Sequence, residues 1–196
     1  MPATSRRRLL TLGLCALAGV ASGQVVVEGQ TFPARARVAD ADLLLNGVGL
    51  RAVAWLKGYA AGLYLPRKVT TTDQVLAQPG PKRLQMRMLQ EVPAAEFVKA
   101  FDKGVRRNAP EAQLPALQAR MQRFDALIGA VGQVRKGDVV DIDFVPAQGL
   151  VFTLNGRVRG EPIEGEDFYA AFLLVFLGAR PADRELKDGL LGGPVR

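Results

Sequence analysis

The chain of 196 residues has no histidine and a single cysteine, Cys15. Without histidine there is no imidazole base, no Ser-His-Asp relay and no His-ligated metal. Cys15 lies within an N-terminal apolar run that reads as an export leader, and Leu14 precedes it, which argues against a lipid-modified cysteine. With that leader removed, disulfides, zinc–thiolate sites and cysteine nucleophiles are excluded as well. Chemistry is left to Arg, Lys, Tyr, Asp, Glu and the backbone. The chain has no repeat, no low-complexity linker and no phosphate loop. Gly47-x-Gly49 precedes no helix pattern, so a dinucleotide site is rejected and no cofactor is expected.

Charge is also sparse in information. Of the net +7, three positives are Arg6, Arg7 and Arg8, and without them the balance falls to +4. No other dense Lys/Arg block exists, so nucleic acid is not an expected partner; mild basicity suits anionic small molecules or acidic lipids. Met1 to Gly23 has a basic start, an apolar run from Leu9 to Val20, and small residues at Ala21, Ser22 and Gly23. This is the pattern of a cleaved signal peptide. The run is too short to span a bilayer, which takes ~20 residues, so no integral span is expected after removal. Ser5-Arg6-Arg7-Arg8-Leu9-Leu10 also resembles a twin-arginine export motif. The expected organisation is a signal peptide over 1–23 and one domain over 24–196, exported to the periplasm.

What is present is a mainly antiparallel pattern. An apolar content of 48% supports a real core. Val25–Val27 and Phe32–Val38 read as strands around Gly29-Gln30. Asn46-Gly47 reads as a turn, with strand from Leu50 to Leu65 broken near Leu56–Gly58. Lys82–Gln90 alternates as a half-buried strand. Helices follow: one from about Val92 to Asn108, with Phe97, Ala100, Phe101 and Val105 on its apolar face, and one from about Leu114 to Gly129. Strands return at Asp138–Val145 and Leu150–Leu154, with a hairpin turn at Asn155-Gly156. Asp141 and Asp143 read as a solvated strand face; a metal reading with Asp138 lacks the rhythm of a calcium loop, and no metal is expected. Helices at Gly165–Leu177 and Asp183–Leu191 close the chain. Gly178 reads as a helix C-cap, and Glu161, Glu164, Glu166 and Asp167 as charges favouring the first turn of the helix after Gly165. The order predicts an α+β fold, a large antiparallel sheet with helices on one face.

Arg51 stands out. Between Leu43 and Pro66 the only charges are Arg51 and Lys57, and an arginine in such a stretch needs a partner. Its planar donor fork suits a carboxylate or an enolate oxygen. Lys57 reads as sending its head to solvent.

Leu45–Arg51 (LNGVGLR), Lys57–Pro66 (KGYAAGLYLP), Gly80–Arg83, Val92–Asn108, Lys136–Asp138, Asn155-Gly156 and Phe176–Gly192 together resemble the chalcone isomerase fold family, in its secreted bacterial branch. The resemblance implies an open-faced β-sandwich with a ligand cleft between sheet and helices. It also implies one of two activities, intramolecular-lyase isomerisation or non-catalytic fatty-acid binding. Arg51 matches the family arginine that steadies an oxyanion. Tyr59 occupies a threonine position, Phe97 stands where a helix tyrosine orders water, Ala100 and Gly104 replace a lysine and an asparagine, and Val175 replaces a threonine. An apolar cleft would be lined by Trp55, Leu63, Phe97, Phe101, Phe124 and Phe172. Cyclising a hydroxychalcone needs an oxyanion partner and a polarised ketone. Arg plus Tyr is what the fatty-acid-binding branch uses to grip a carboxylate.

Three readings therefore stay open. The first is an exported binder of a fatty acid or similar amphipathic carboxylate, with Arg51 and Tyr59 at the head group and Phe97, Phe101, Trp55 and Val175 around the ligand. The second is an isomerase on a phenolic chalcone-like or enone substrate, with Arg51 catalytic. In the third, the role is structural or partner-binding, the cleft is vestigial, and Arg51 pairs with an internal acid such as Glu96 or Asp102. Oligomeric state is not legible.

Overall fold

Alternating apolar side chains have to find cover on each face of a sheet, and here two unequal covers form. The computed structural model describes residues 23–53 and 56–195. The expected leader, apart from Gly23, lies outside the described residues, and so does Trp55. In chain order the elements are β1 (Gln24–Val27), β2 (Gln30–Pro33), β3 (Arg35–Val38), β4 (Ala41–Val53), β5 (Leu56–Leu65), α1 (Thr72–Ala77), β6 (Lys82–Met88) and β7 (Val92–Pro93). They continue with α2 (Ala94–Asn108), α3 (Leu114–Gly129), β8 (Gln133–Val134), β9 (Val139–Val145), β10 (Gly149–Leu154), β11 (Arg157–Val158), α4 (Glu166–Leu177) and α5 (Arg184–Leu190). Seven strands form one antiparallel sheet in the order β11-β10-β9-β6-β5-β4-β3, with α2 and α3 inserted between the adjacent strands β6 and β9. This is the α+β architecture that the element order predicts. Among the described residues no helix is long and apolar enough to cross a membrane.

Period two sorts the side chains. Ala61, Leu63 and Leu65 of β5, Leu84, Met86 and Met88 of β6, and Val140, Ile142 and Phe144 of β9 meet the helices. Their counterparts Ala60 and Tyr64 join Phe32, Leu43, Leu45, Val48 and Leu50 in a smaller core on the other face. There the β1–β2 hairpin lays Phe32 on the sheet. Gly62 makes room for it, since a Cβ at that position would come 2.7 Å from the Phe32 ring.

Asn46-Gly47 is not the turn that the sequence suggests. It lies inside β4, where the pairing shifts between Leu45 and Gly47. The bulge adds one residue, so Leu43 and Leu45 before it and Val48 and Leu50 after it stay on one face. Asn46 is buried and satisfied: its amide donates to the Leu190 carbonyl at 2.8 Å and its oxygen accepts from the Val69 N–H at 2.7 Å. The expected long strand is two, β4 ending at Val53 and β5 beginning at Leu56, with residues 54 and 55 between them outside the described residues. Gly178 is the C-cap of α4, as expected, its N–H donating to the Leu174 carbonyl; with φ −65° it is not left-handed, and glycine is required because a Cβ would run into the Asn108 side chain.

Asp141 and Asp143 are also corrected. They are 8% and 6% exposed rather than solvated. Arg83 donates through Nε and Nη2 to the two oxygens of Asp143, both at 2.6 Å, and Gln85 Nε2 donates to Asp141 at 2.7 Å. Alternation located the face but not its covering; the charges are buried because they satisfy one another. Among the described residues no cluster of three potential His, Cys, Asp or Glu metal ligands occurs.

Helix α5 reaches the sheet through glycines. A Cβ on Gly47 would strike the Gly189 carbonyl oxygen, and one on Gly49 would come 2.5 Å from the Leu186 carbonyl oxygen. Helix and strand thus pack backbone to backbone. Gly49→Ala should cost about 1–3 kcal/mol by forcing them apart, a Tm fall of roughly 3–10 °C at this chain length. Gly129→Ala, where a Cβ meets nothing within 4 Å, is the control. Equal melting temperatures for the two variants would reject the close-seating argument.

Between α2 and α3, Asp125 has an oxygen that is buried without a hydrogen-bond partner among the described residues. Burial, then the nearby Asp102 charge, pushes its carboxyl up to about 6, with Arg106 opposing. A folded-state value above the unfolded one means that the charged form works against folding. That penalty is absent below about pH 4 and develops as pH rises through 6. Asp125→Asn should therefore raise Tm near pH 7.5 and leave it nearly unchanged near pH 4, measured by thermal melts across that range.

Candidate functional site

The seating of α5 fixes what Arg51 meets. Arg51 lies two residues beyond Gly49 on the helix-facing side of β4, and the N-terminus of α5 arrives beside it. Asp183 is the N-cap of that helix, and its Oδ1 accepts from the Leu186 N–H at 3.0 Å. Its Oδ2 accepts from Arg51 Nη1 at 3.1 Å. The same Nη1 donates to the Ala52 carbonyl at 2.8 Å. Among the described residues these bonds leave Nε and Nη2 of Arg51 unengaged. The Arg51 side chain is 28% exposed and that of Asp183 14%, so the pair is shielded but not sealed.

Tyr59 is the cross-strand partner of Arg51 in the β4–β5 register, so the two side chains share a face. Burial holds the Tyr59 hydroxyl well above the usual phenol range, with Arg51 opposing and Asp183 reinforcing. Near neutrality Tyr59 is thus a neutral donor. No hydrogen bond reaches its hydroxyl among the described residues. Phe97, in the first turn of α2, stacks on Tyr59 with ring centroids 6.4 Å apart and planes 29° apart. Arg51, Tyr59, Phe97 and Asp183 thus gather where β4, β5, α2 and α5 meet.

The other residues singled out by sequence sit differently. Phe101 is 5% exposed, deeper along α2, with its ring centroid 4.4 Å from that of Phe124 and 6.3 Å from that of Phe172. Leu63, Phe124 and Phe172 are buried in the same core. Val175 on α4 is buried against α2, and a Cβ on Gly104 would come 2.5 Å from its Cγ1. Gly104 and Val175 therefore face each other in direct helix–helix contact, with no hydrogen-bonding side chain at either position. Trp55 lies outside the described residues. Lys57 is half-exposed and reaches Glu28 at 2.7 Å.

Asp183 is the residue that sequence reasoning missed. It was legible as a helix start, but nothing local links it to an arginine 132 positions away. The nominated acids do other things: Glu96 pairs with Lys99 at 2.8 Å on the surface, and Asp102 lies beside Asp125. Two cavities, of about 390 and 290 Å³, lie away from this site. The larger is lined by Phe144, Gly149 and Glu166 among others, the smaller by Leu127, Val131 and Leu154; neither touches Arg51, Tyr59 or Phe97.

This arrangement offers one cation and one neutral hydroxyl to an oxygen-bearing group, beside aromatic rings. A crystal structure of a fatty-acid binding protein from Arabidopsis thaliana superposes with a TM-score of 0.64 at 15% sequence identity, covering 86% of this chain and 96% of that one. No curated protein matches the chain in sequence. The family model described as chalcone isomerase-like matches residues 24–192. The chain belongs to the chalcone isomerase-like family.

Proposed function

We propose that this protein binds an amphipathic small molecule without transforming it, a fatty acid being the leading case, with the head group at Arg51 and Tyr59. The observation that carries the reading is the pairing of Arg51, whose Nε and Nη2 no bond engages among the described residues, with the uncharged Tyr59 hydroxyl on the same sheet face. Charge-assisted bonds from a guanidinium fork suit a carboxylate, and Tyr59 adds a donor. The fold shared with a fatty-acid binding protein supports it. Catalysis is less well served. Phe97 has no hydroxyl to order water, and Gly104 and Val175 bring no hydrogen-bonding side chain, so a developing oxyanion would rely on Arg51 and Tyr59 alone. The leader over 1–23 would deliver the protein to the periplasm, where such a ligand is to be captured.

The tail supplies most of the affinity, at ~0.8 kcal/mol per buried CH₂. Phe101 and Phe124 close the interior below the site, so the acyl chain follows the half-buried Phe97 and lifts α2 from its neighbours. Native mass spectrometry of protein purified from cells should reveal a bound acyl species. Added laurate or palmitate at a hundredfold excess over Kd should stabilise by about 2.7 kcal/mol, a Tm rise of roughly 5–10 °C. Arg51→Ala should weaken laurate binding at least about tenfold, the loss of one charge-assisted bond. No co-purifying acyl ligand together with an unmoved Tm would refute the reading. Chalcone turnover abolished by Arg51→Ala would replace it with isomerisation.

A further inference from the structure

We infer that Asp183 is a built-in competitor for the ligand's head group, so that the site selects by head-group charge, accepting a neutral oxygen head unopposed and a carboxylate only against the Asp183 charge. The inference rests on the head-group reading above and concerns the same site. Asp183 Oδ2 already holds one nitrogen of Arg51 at 3.1 Å. The carboxylate cannot swing aside freely, because Oδ1 caps α5 at the Leu186 N–H. Nor can the helix retreat with it, because α5 is seated on the backbone of Gly47 and Gly49.

A ligand carboxylate is therefore left the Nε and Nη2 edge of Arg51. Bound there, it completes a group of two anions around one cation, and each anion disfavours the charge of the other. Partial burial of Arg51 and Asp183, 28% and 14% exposed, keeps solvent from screening this repulsion fully. An alcohol, ester or ketone oxygen accepts from the same nitrogens and from Tyr59 without that opposition. Asp183 is thus a specificity-determining residue acting through charge, distinct from its structural role as a cap.

The two roles separate experimentally. Asparagine caps a helix as well as aspartate does, so Asp183→Asn removes the charge and keeps an oxygen for the Leu186 N–H. Binding of laurate and of 1-dodecanol is to be measured by calorimetry on wild type and Asp183→Asn, with Asp183→Ser as a second capping variant should the first fold poorly. Laurate affinity should rise about three- to tenfold in Asp183→Asn, the scale of a partly exposed ion pair. Dodecanol affinity should change by less than about twofold. Laurate binding that depends on Arg51 but is unchanged or weaker in Asp183→Asn would overturn the inference and leave Asp183 as a cap alone. An equal gain for laurate and dodecanol would overturn it too, by showing a general loosening. Laurate failing to bind either protein would remove the fatty-acid reading itself, and the competitor with it.

Discussion

The contact between α5 and β4 is the constraint from which the site follows. Helix and strand can touch backbone to backbone only because Gly47, Gly49 and Gly189 carry no side chains at the contact. The bulge at Asn46 turns those strand glycines toward the helix while keeping Val48 and Leu50 in the core of the opposite face. Asn46 then fastens the C-terminal end of α5 through the Leu190 carbonyl. With one end of the helix fixed and its flank flush against the strand, the position of its N-cap is determined. That N-cap is Asp183, and the strand residue beside it is Arg51. The ion pair is thus a consequence of glycine placement rather than an independent feature.

This explains which parts of the molecule were legible in the sequence. Strand and helix identities followed from periodicity, and Arg51 stood out because a charge in an apolar stretch is costly. The two Asn-Gly pairs show where local signals run out. At Asn155-Gly156 both residues have positive φ, 51° and 75°, and the pair makes the β10–β11 turn. Asn46-Gly47, with the same two letters, lies inside a strand, because its amide side chain is claimed by Val69 and Leu190. Nothing within a few residues distinguishes them; the difference comes from chain segments far away. Asp183 and the burial of Asp141 and Asp143 escaped for the same reason. Their partners Arg51, Arg83 and Gln85 lie on other elements, and a one-dimensional pattern gives a face without its covering.

The two charged clusters also show that burial alone does not mark a functional site. Arg83 and Asp143 make a bidentate pair on the face opposite the helices, with both Asp143 oxygens held by the Nε–Nη2 edge of Arg83, and the two residues are cross-strand partners of β6 and β9. Arg51 is bound to Asp183 by one nitrogen only and is more exposed than Arg83, 28% against 18% of its side chain. The bidentate edge of Arg83 is thus already filled by a carboxylate of the fold itself. On the proposed reading, recognition would rest on the donors of Arg51 and Tyr59 that no bond among the described residues engages.

A ligand tail must still be reconciled with an aromatic core in which Phe101, Phe124, Phe168 and Phe172 already touch. The helices bounding that core are not held equally. Eight residues of α4 are buried, but only Ala94, Phe101, Gly104 and Val105 of α2. Across the α2–α3 interface, Asp125 keeps an oxygen without a partner among the described residues, near the charge of Asp102. Such an interface is weaker than one closed by apolar contacts alone. Parting α2 from α3 returns that oxygen to water, which offsets part of the cost of separating the Phe101 and Phe124 rings. Helix α2 is also the element that carries Phe97 onto Tyr59. A wall less deeply buried than α4 therefore adjoins Arg51 and Tyr59, and on the proposed reading a head group bound at Arg51 would place its tail against α2 rather than against the firmly held α4.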